Sequence, residues 1–196
     1  MNKTVIFDLD GTLIDSLGDI HAALNDVLQL RNAPPLMLAA VRDLIGKGSA
    51  NLVRRALTAR NLPIDEASCT SALADFLRLY SADSAKLTTI FDGAIDALDR
   101  LQGDGFCLGI CTNKPLAPTK TVLDQFGLTR FFDTIVGGDQ LASRKPDPAM
   151  LFHSMACLGT TSCLFVGDSE VDRETAAAAG QPFALFTKGY RTSSIE

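Results

Sequence analysis

The sequence predicts an α/β fold, a doubly wound, Rossmann-like parallel sheet with a small helical domain inserted after its first strand. Three observations carry this. Short apolar runs rich in β-branched or aromatic residues recur at Val5–Phe7, Leu108–Cys111, Thr134–Val136, Leu164–Val166 and Phe183–Phe186. Helical periodicity separates most of them, and uninterrupted apolar strands alternating with helices belong to parallel sheets buried on both faces. The third observation is a misfit. A parallel crossover needs only about a dozen residues, yet the chain leaves its first strand at Asp8 and begins the next near Cys107.

The inserted stretch shows three helix-period stripes with no strand signal between them: Ile20, Leu24, Val27 and Leu28; Leu52, Val53, Ala56 and Leu57; Leu73, Phe76, Leu77 and Tyr80. A helical cap over residues 16–85 follows, joined by linkers near Leu13–Ser16 and Ala85–Phe91 to a core made of residues 1–15 and 86–196. Its position after the first strand places it over that strand's carboxyl end, as a lid. In the core, Ala94, Leu98 and Leu101 mark one helix, and Val122, Leu123 and Phe126 mark a second that stops at Gly127. A third runs from Pro148 to Leu158 before Gly159, and the last covers the alanines 176–179 before Gly180.

Composition narrows the function. The 196 residues are 46% hydrophobic and 21% charged with a net charge of −5, and no basic cluster exceeds Arg54-Arg55. A nucleic-acid partner is excluded on that ground, since a phosphate backbone requires an electropositive face. No apolar run approaches the ~18 residues of a membrane span, and Asp8 interrupts the N-terminus before a signal-peptide core could form. A cytoplasmic location with no membrane partner is expected. The five cysteines lack metal-ligand spacing and lie mostly in apolar segments, so neither disulfides nor zinc are expected.

Open α/β sheets bind ligands beyond the carboxyl ends of their strands. The residues there are Asp8 and Asp10 in "VIFDLDGTLID", Thr112 in "ICTNK" and Asp168 in "CLFVGDS". Lys145 in "SRKPDPAM" joins them, because Pro146 keeps it out of helical geometry just before a helix capped by Asp147. Crowded carboxylates either take up protons or bind a cation, and oxygen ligands without histidine or cysteine suit Mg²⁺ sharing a substrate phosphate. A carboxylate ending a strand is a candidate nucleophile, and a second one two residues on is a candidate acid and base. Alone, Thr112-Asn113 equally fits a cap for the helix after Pro115. Asp172 equally fits a first-turn acid behind an N-cap at Ser169. His21, His153, Met37, Met150 and Met155 carry no ligand spacing and read as packing or surface residues.

"DLDGTLIDS" at 8–16, Thr112 in "ICTNK", Lys145 in "RKPDP" and "GDSEVD" at 167–172 together resemble the four ordered motifs of the haloacid dehalogenase superfamily of phosphatases. The insert resembles the cap of its phosphoglycolate phosphatase and β-phosphoglucomutase group, and "IGKGSANLVRRAL" at 45–57 with "TNKP" at 112–115 is nearer the former. The likeness covers nearly the whole chain and is weakest over residues 58–88. It implies Asp8 as nucleophile and metal ligand, and Asp10 as acid and base with its carbonyl on the metal. Thr112 and Lys145 would hold phosphoryl oxygens with Asn113 beside them, Asp168 would ligate Mg²⁺, and Asp172 would support that site from behind.

The expected activity is Mg²⁺-dependent hydrolysis of a small phosphorylated metabolite, most of all 2-phosphoglycolate. A phosphomutase and a non-catalytic phospho-acceptor stand as alternatives. "GKGS" at 46–49, Lys47 and Arg55 are expected to read a second anionic group on the substrate. Members of the superfamily usually continue past the "GY" segment with another strand and helix, whereas this chain stops at Glu196.

Overall fold

In the computed structural model, residues 3–82 and 85–193 are described. Residues 83 and 84, beside the expected second cap boundary, lie outside that set, as do the two residues at the start and three at the end of the expected core. Five parallel strands form the main sheet: β1 (Thr4–Phe7), β4 (Cys107–Cys111), β5 (Thr134–Val136), β6 (Leu164–Gly167) and β7 (Phe183–Leu185). Their spatial order is β5-β4-β1-β6-β7, so the first strand is central. Val5 lies between Leu108 and Leu164, and Phe7 between Ile110 and Val166.

Alternation along β1 divides the core into two layers. Val5 and Phe7 pack with Leu98 of α5 (Ala94–Gly103), and with Val122 and Leu123 of α6 (Leu116–Gln125). Ile6 points to the other face, where it joins Met150, Leu151 and Met155 of α7 (Ala149–Cys157) and Ala176 of α8 (Glu170–Ala178). Helices thus cover both faces, as the sequence predicts. Asp147 accepts a hydrogen bond from the Ala149 amide at 2.9 Å, so it caps α7. Asp139 performs that service for α6, accepting from Leu116 N at 2.8 Å. Neither Thr112 nor Asn113 is its cap.

Between Leu17 and Ala82 the chain forms four helices rather than three: α1 (Leu17–Gln29), α2 (Leu38–Arg42), α3 (Ser49–Ala59) and α4 (Glu66–Ala82). The short α2 contributes Val41 to the cluster and is too brief to show a period. The three stripes supply most of the rest, including Leu24, Leu28, Leu57, Phe76 and Tyr80. This cluster shares no member with the two layers of the sheet.

The two connections to this helical unit pair with each other. Strands β2 (Ile14–Asp15) and β3 (Thr89–Ile90) form an antiparallel ribbon in which Ile14 faces Ile90. A buried acid reinforces it. Asp19, in the first turn of α1, accepts from Leu87 N at 2.9 Å, Thr88 N at 2.8 Å and Thr88 Oγ1 at 2.6 Å. Removing that carboxylate strands three donors, so Asp19→Ala should destabilise the protein by about 3 kcal/mol. A urea midpoint within error of the parent's would contradict this.

Candidate active site

Strand ends bring the acidic residues together. Asp8 follows β1 and Asp168 follows β6, and β1 and β6 are neighbours. Asp172 reaches the same place from the first turn of α8, where Ser169 and Asp172 form a reciprocal capping box. Ligand oxygens of Asp8, Asp168 and Asp172 all lie within 4.8 Å of one another. Asp172 Oδ2 accepts from Ser169 N and Oγ in that cap, while Oδ1 accepts from Lys145 Nζ.

Glycines let these groups approach. A Cβ on Gly11, whose φ is +87°, would sit 2.5 Å from Asp168 Oδ2, and one on Gly167 would sit 2.4 Å from Asp172 Cβ. No larger residue fits either place.

Lys145 supplies the positive charge within this cluster. Its Nζ lies 2.6 Å from Asp172 Oδ1 and 2.9 Å from Asp8 Oδ1. Burial alone would lower its pKa, but Asp172 and Asp8 hold it well above the usual lysine range. Asn113 fixes its backbone: Oδ1 accepts from Lys145 N at 3.0 Å and Nδ2 donates to Lys145 O at 3.0 Å and to Gly46 O at 2.9 Å. Expected on the sequence as a substrate contact, the Asn113 amide is here a brace between the Lys145 loop and the cap. Thr112 is buried beside it, its amide donating to Val136 O at 3.0 Å.

Three carboxylates against one ammonium leave a formal charge of −2. Burial, opposed by Lys145, pushes the Asp8 carboxyl up to about 6. Burial and then the Asp8 charge push Asp168 up to about 7. Asp8 Oδ1 is buried, and the Lys145 ammonium at 2.9 Å is its one partner among the described residues. An all-oxygen cluster lacking two positive charges fits a hard divalent cation held by Asp8 and Asp168. Asp10 points elsewhere, its Oδ1 accepting from Ser16 Oγ at 2.6 Å and Lys114 Nζ at 2.9 Å.

With this geometry in view, the comparisons with known proteins are decisive. The family model for haloacid dehalogenase-like hydrolases matches residues 5–186. The chain belongs to that family. It is 46% identical over 191 residues to a phosphoglycolate phosphatase of Cereibacter sphaeroides, covering 97% of this chain and 88% of the relative. It is 43% identical over 192 residues to a phosphoglycolate phosphatase of Pseudomonas putida, covering 96% and 70%. Among solved structures it is similar to a predicted phosphoglycolate phosphatase from Haemophilus somnus, at 30% identity and a TM-score of 0.88, covering 97% of this chain and 87% of that one. The enzyme class read from the motifs is the one these haloacid dehalogenase-like relatives carry by name.

In this family member, two openings meet at Asp8 and Asp10. The inner chamber lies between sheet and cap, and its walls include Ile20, Leu52, Phe76, Tyr80, Thr112 and Lys114. The outer cleft is lined by Lys47, Arg55, Asp168 and Glu170, among others. Lys47 and Arg55 are exposed there, and Arg55 Nη1 donates to Asp43 O at 2.9 Å. The two cations expected to read the substrate therefore stand on the outer side.

Sequence reasoning passed over Lys114, Tyr80, Thr12 and Tyr190. Thr12 Oγ1 donates to Asp168 Oδ1 at 3.1 Å and Tyr190 N to Asp168 Oδ2 at 2.6 Å, so both oxygens of that acid are oriented by the chain. Lys114, Thr12 and Tyr190 carried some signal, standing in the quoted "TNKP", "DLDGTLIDS" and "GY". Tyr80 reads as one more apolar position of a helix.

The raised acids set a pH dependence. Folding lifts Asp8 and Asp168 from 3.8 to about 6 and about 7, so between these values the folded protein binds protons more tightly than the unfolded chain. Below 3.8 both states are protonated at these sites and the advantage is fully present. It is lost as pH rises through 6 and 7. Held in chelator, the protein should show a melting temperature that falls between pH 5 and 8. A curve that rises over that interval would refute the assignment.

Proposed function

We propose that this enzyme hydrolyses the monoester of a small phosphorylated metabolite, 2-phosphoglycolate, through an aspartyl-phosphate on Asp8. The observation that carries the reading is the Asp8 carboxylate, paired with Lys145 at 2.9 Å and lining a chamber that Asp10 also lines. A carboxylate nucleophile must be ionised, and the Lys145 ammonium at 2.9 Å favours that form of Asp8. The names and high coverage of the curated relatives favour phosphoglycolate over other esters.

Asp8 attacks phosphorus, the new bond forms from its carboxylate oxygen, and the bond from phosphorus to the ester oxygen breaks. Asp10 gives its proton to the departing alkoxide. Glycolate leaves. Asp10, now ionised, takes a proton from water, whose oxygen attacks the same phosphorus and displaces the Asp8 carboxylate as inorganic phosphate forms. Lys145 and Thr112 hold the phosphoryl oxygens throughout. Asp10 argues against a durable phospho-acceptor, since an acid and base so close to Asp8 hastens hydrolysis.

Asp8, Asp168 and the Asp10 carbonyl would hold Mg²⁺, with Asp172 supporting from behind. When bound, the ion neutralises the crowded carboxylates and the phosphoryl oxygens together. Lys47, Arg55 and the amides at the start of α3 give the approach to the site a positive rim.

Asp8→Asn should leave a folded protein whose kcat for phosphoglycolate falls by more than about a thousandfold. Turnover within tenfold of the parent would sink the nucleophile assignment. Excess chelator should abolish phosphate release and Mg²⁺ should restore it, with Mg²⁺ also raising the melting temperature at pH 8. Full activity in chelator would exclude the metal.

A further inference from the structure

Phosphoryl-holding groups are common to every substrate of such a site, so selection must come from what meets the leaving group. In the inner chamber, Lys114 is the sole cationic side chain among the lining residues. It is buried, with its side chain 3% exposed, and it follows β4 on the loop that carries Thr112 and Asn113. Its ammonium meets Asp10 at 2.9 and 3.3 Å and also donates to the hydroxyl of Tyr80. An ammonium carries three donors, and all three are engaged here; the longest contact, 3.3 Å to Asp10 Oδ2, is the one a further anion displaces at least cost.

Tyr80 adds a second donor. Its oxygen accepts from Lys114, so its own O–H points away, and no acceptor for it is found among the described residues. Burial pushes that phenol up to about 12, so it keeps its proton at neutral pH. The ring is held flat against Phe76, with centroids 5.5 Å apart and planes 7° from parallel. Ile20, Leu52 and Phe76 line the same chamber with apolar surface. The ammonium N–H held at 3.3 Å by Asp10 Oδ2, once it is released, and the phenolic O–H, adjacent in an apolar enclosure, make a two-donor seat for a single small anion.

We propose that Lys114 and Tyr80 together bind the carboxylate of the leaving group, and that this pair, rather than Lys47 and Arg55, makes the enzyme select phosphate esters of short 2-hydroxy acids. The proposal rests on the phosphatase reading given above. It also assigns the two donors to different parts of the fold: Lys114 belongs to the sheet and Tyr80 to α4 of the cap. The two already meet across these units, so a carboxylate held by both donors engages core and helical unit at once. An ester with an uncharged leaving group lacks that carboxylate. Lys114 would then stay on Asp10 and Tyr80.

The test compares phosphoglycolate with 2-hydroxyethyl phosphate, similar in length but uncharged at its far end, by phosphate release from the Mg²⁺-loaded full chain. Tyr80→Phe keeps the ring stack and removes only the O–H. It should lower the ratio of kcat/KM for the two esters by about tenfold, chiefly through KM for phosphoglycolate. Lys114→Met should lower the ratio further, by about a hundredfold, while also slowing both reactions because Asp10 loses a neighbour. Lys47→Ala should leave the ratio within twofold of the parent. If both inner variants slow the two esters equally, Lys114 acts on Asp10 alone and the seat is refuted. A ratio that collapses in Lys47→Ala and survives in Tyr80→Phe moves selection to the outer cleft and equally refutes it. A parent with no preference for phosphoglycolate overturns the substrate reading as well as the seat. Should Lys114→Met fail to fold, Tyr80→Phe decides.

Discussion

Everything at this site depends on how one buried ammonium is shared. Lys145 lies between Asp8 and Asp172, and its charge is what allows these acids to be buried together. Remove it, and three carboxylates would face one another in a poorly solvated place. Its hold is nevertheless incomplete, since Asp8 and Asp168 remain lifted toward neutrality. That shortfall makes the cluster receptive to a divalent cation, which a fully balanced cluster would not be.

The fold provides what this balance demands. A carboxylate at the end of a central strand cannot swing away, and β1 has neighbours on both sides. The acids arrive from β1, β6 and α8, the ammonium from the loop before α7, and Asn113 after β4 fastens that loop in place. The cap is tied to the same frame. The Tyr190 amide orients Asp168, while its hydroxyl accepts from Ser16 N and donates to Asp15 at 2.7 Å each. Asp168 and the β2–β3 ribbon thus share one residue, and Asp19 ties the residue before β3 to α1.

Most of the architecture was legible because its signals are local. Uninterrupted apolar strands, helix-period stripes, and Gly and Pro punctuation each depend on a few adjacent residues, and all five strands of the main sheet lie where the apolar runs put them. Asp8, Asp10, Thr112, Lys145 and Asp168 were visible for a related reason. Strand ends in an open α/β sheet converge, so a polar residue just past an apolar run is already placed. The short helix α2 was not visible, since five residues cannot display a period. The β2–β3 ribbon was not visible either, being two residues on each side and held by partners more than sixty positions away.

The sequence by itself determined the fold class, the inserted helices, and which acids and which lysine share the crevice, because periodicity and strand order suffice to position them. Only the tertiary structure decided what surrounds the leaving group. Lys114 looked like any loop lysine and Tyr80 like any core aromatic, and they touch because α4 of the cap packs above the loop after β4. Lys47 and Arg55 had the better local signal yet stand on the outer side. A motif records which residues are neighbours in the chain, whereas selectivity at this site depends on neighbours across the gap between two units. That gap is set by packing, which no short stretch of sequence encodes.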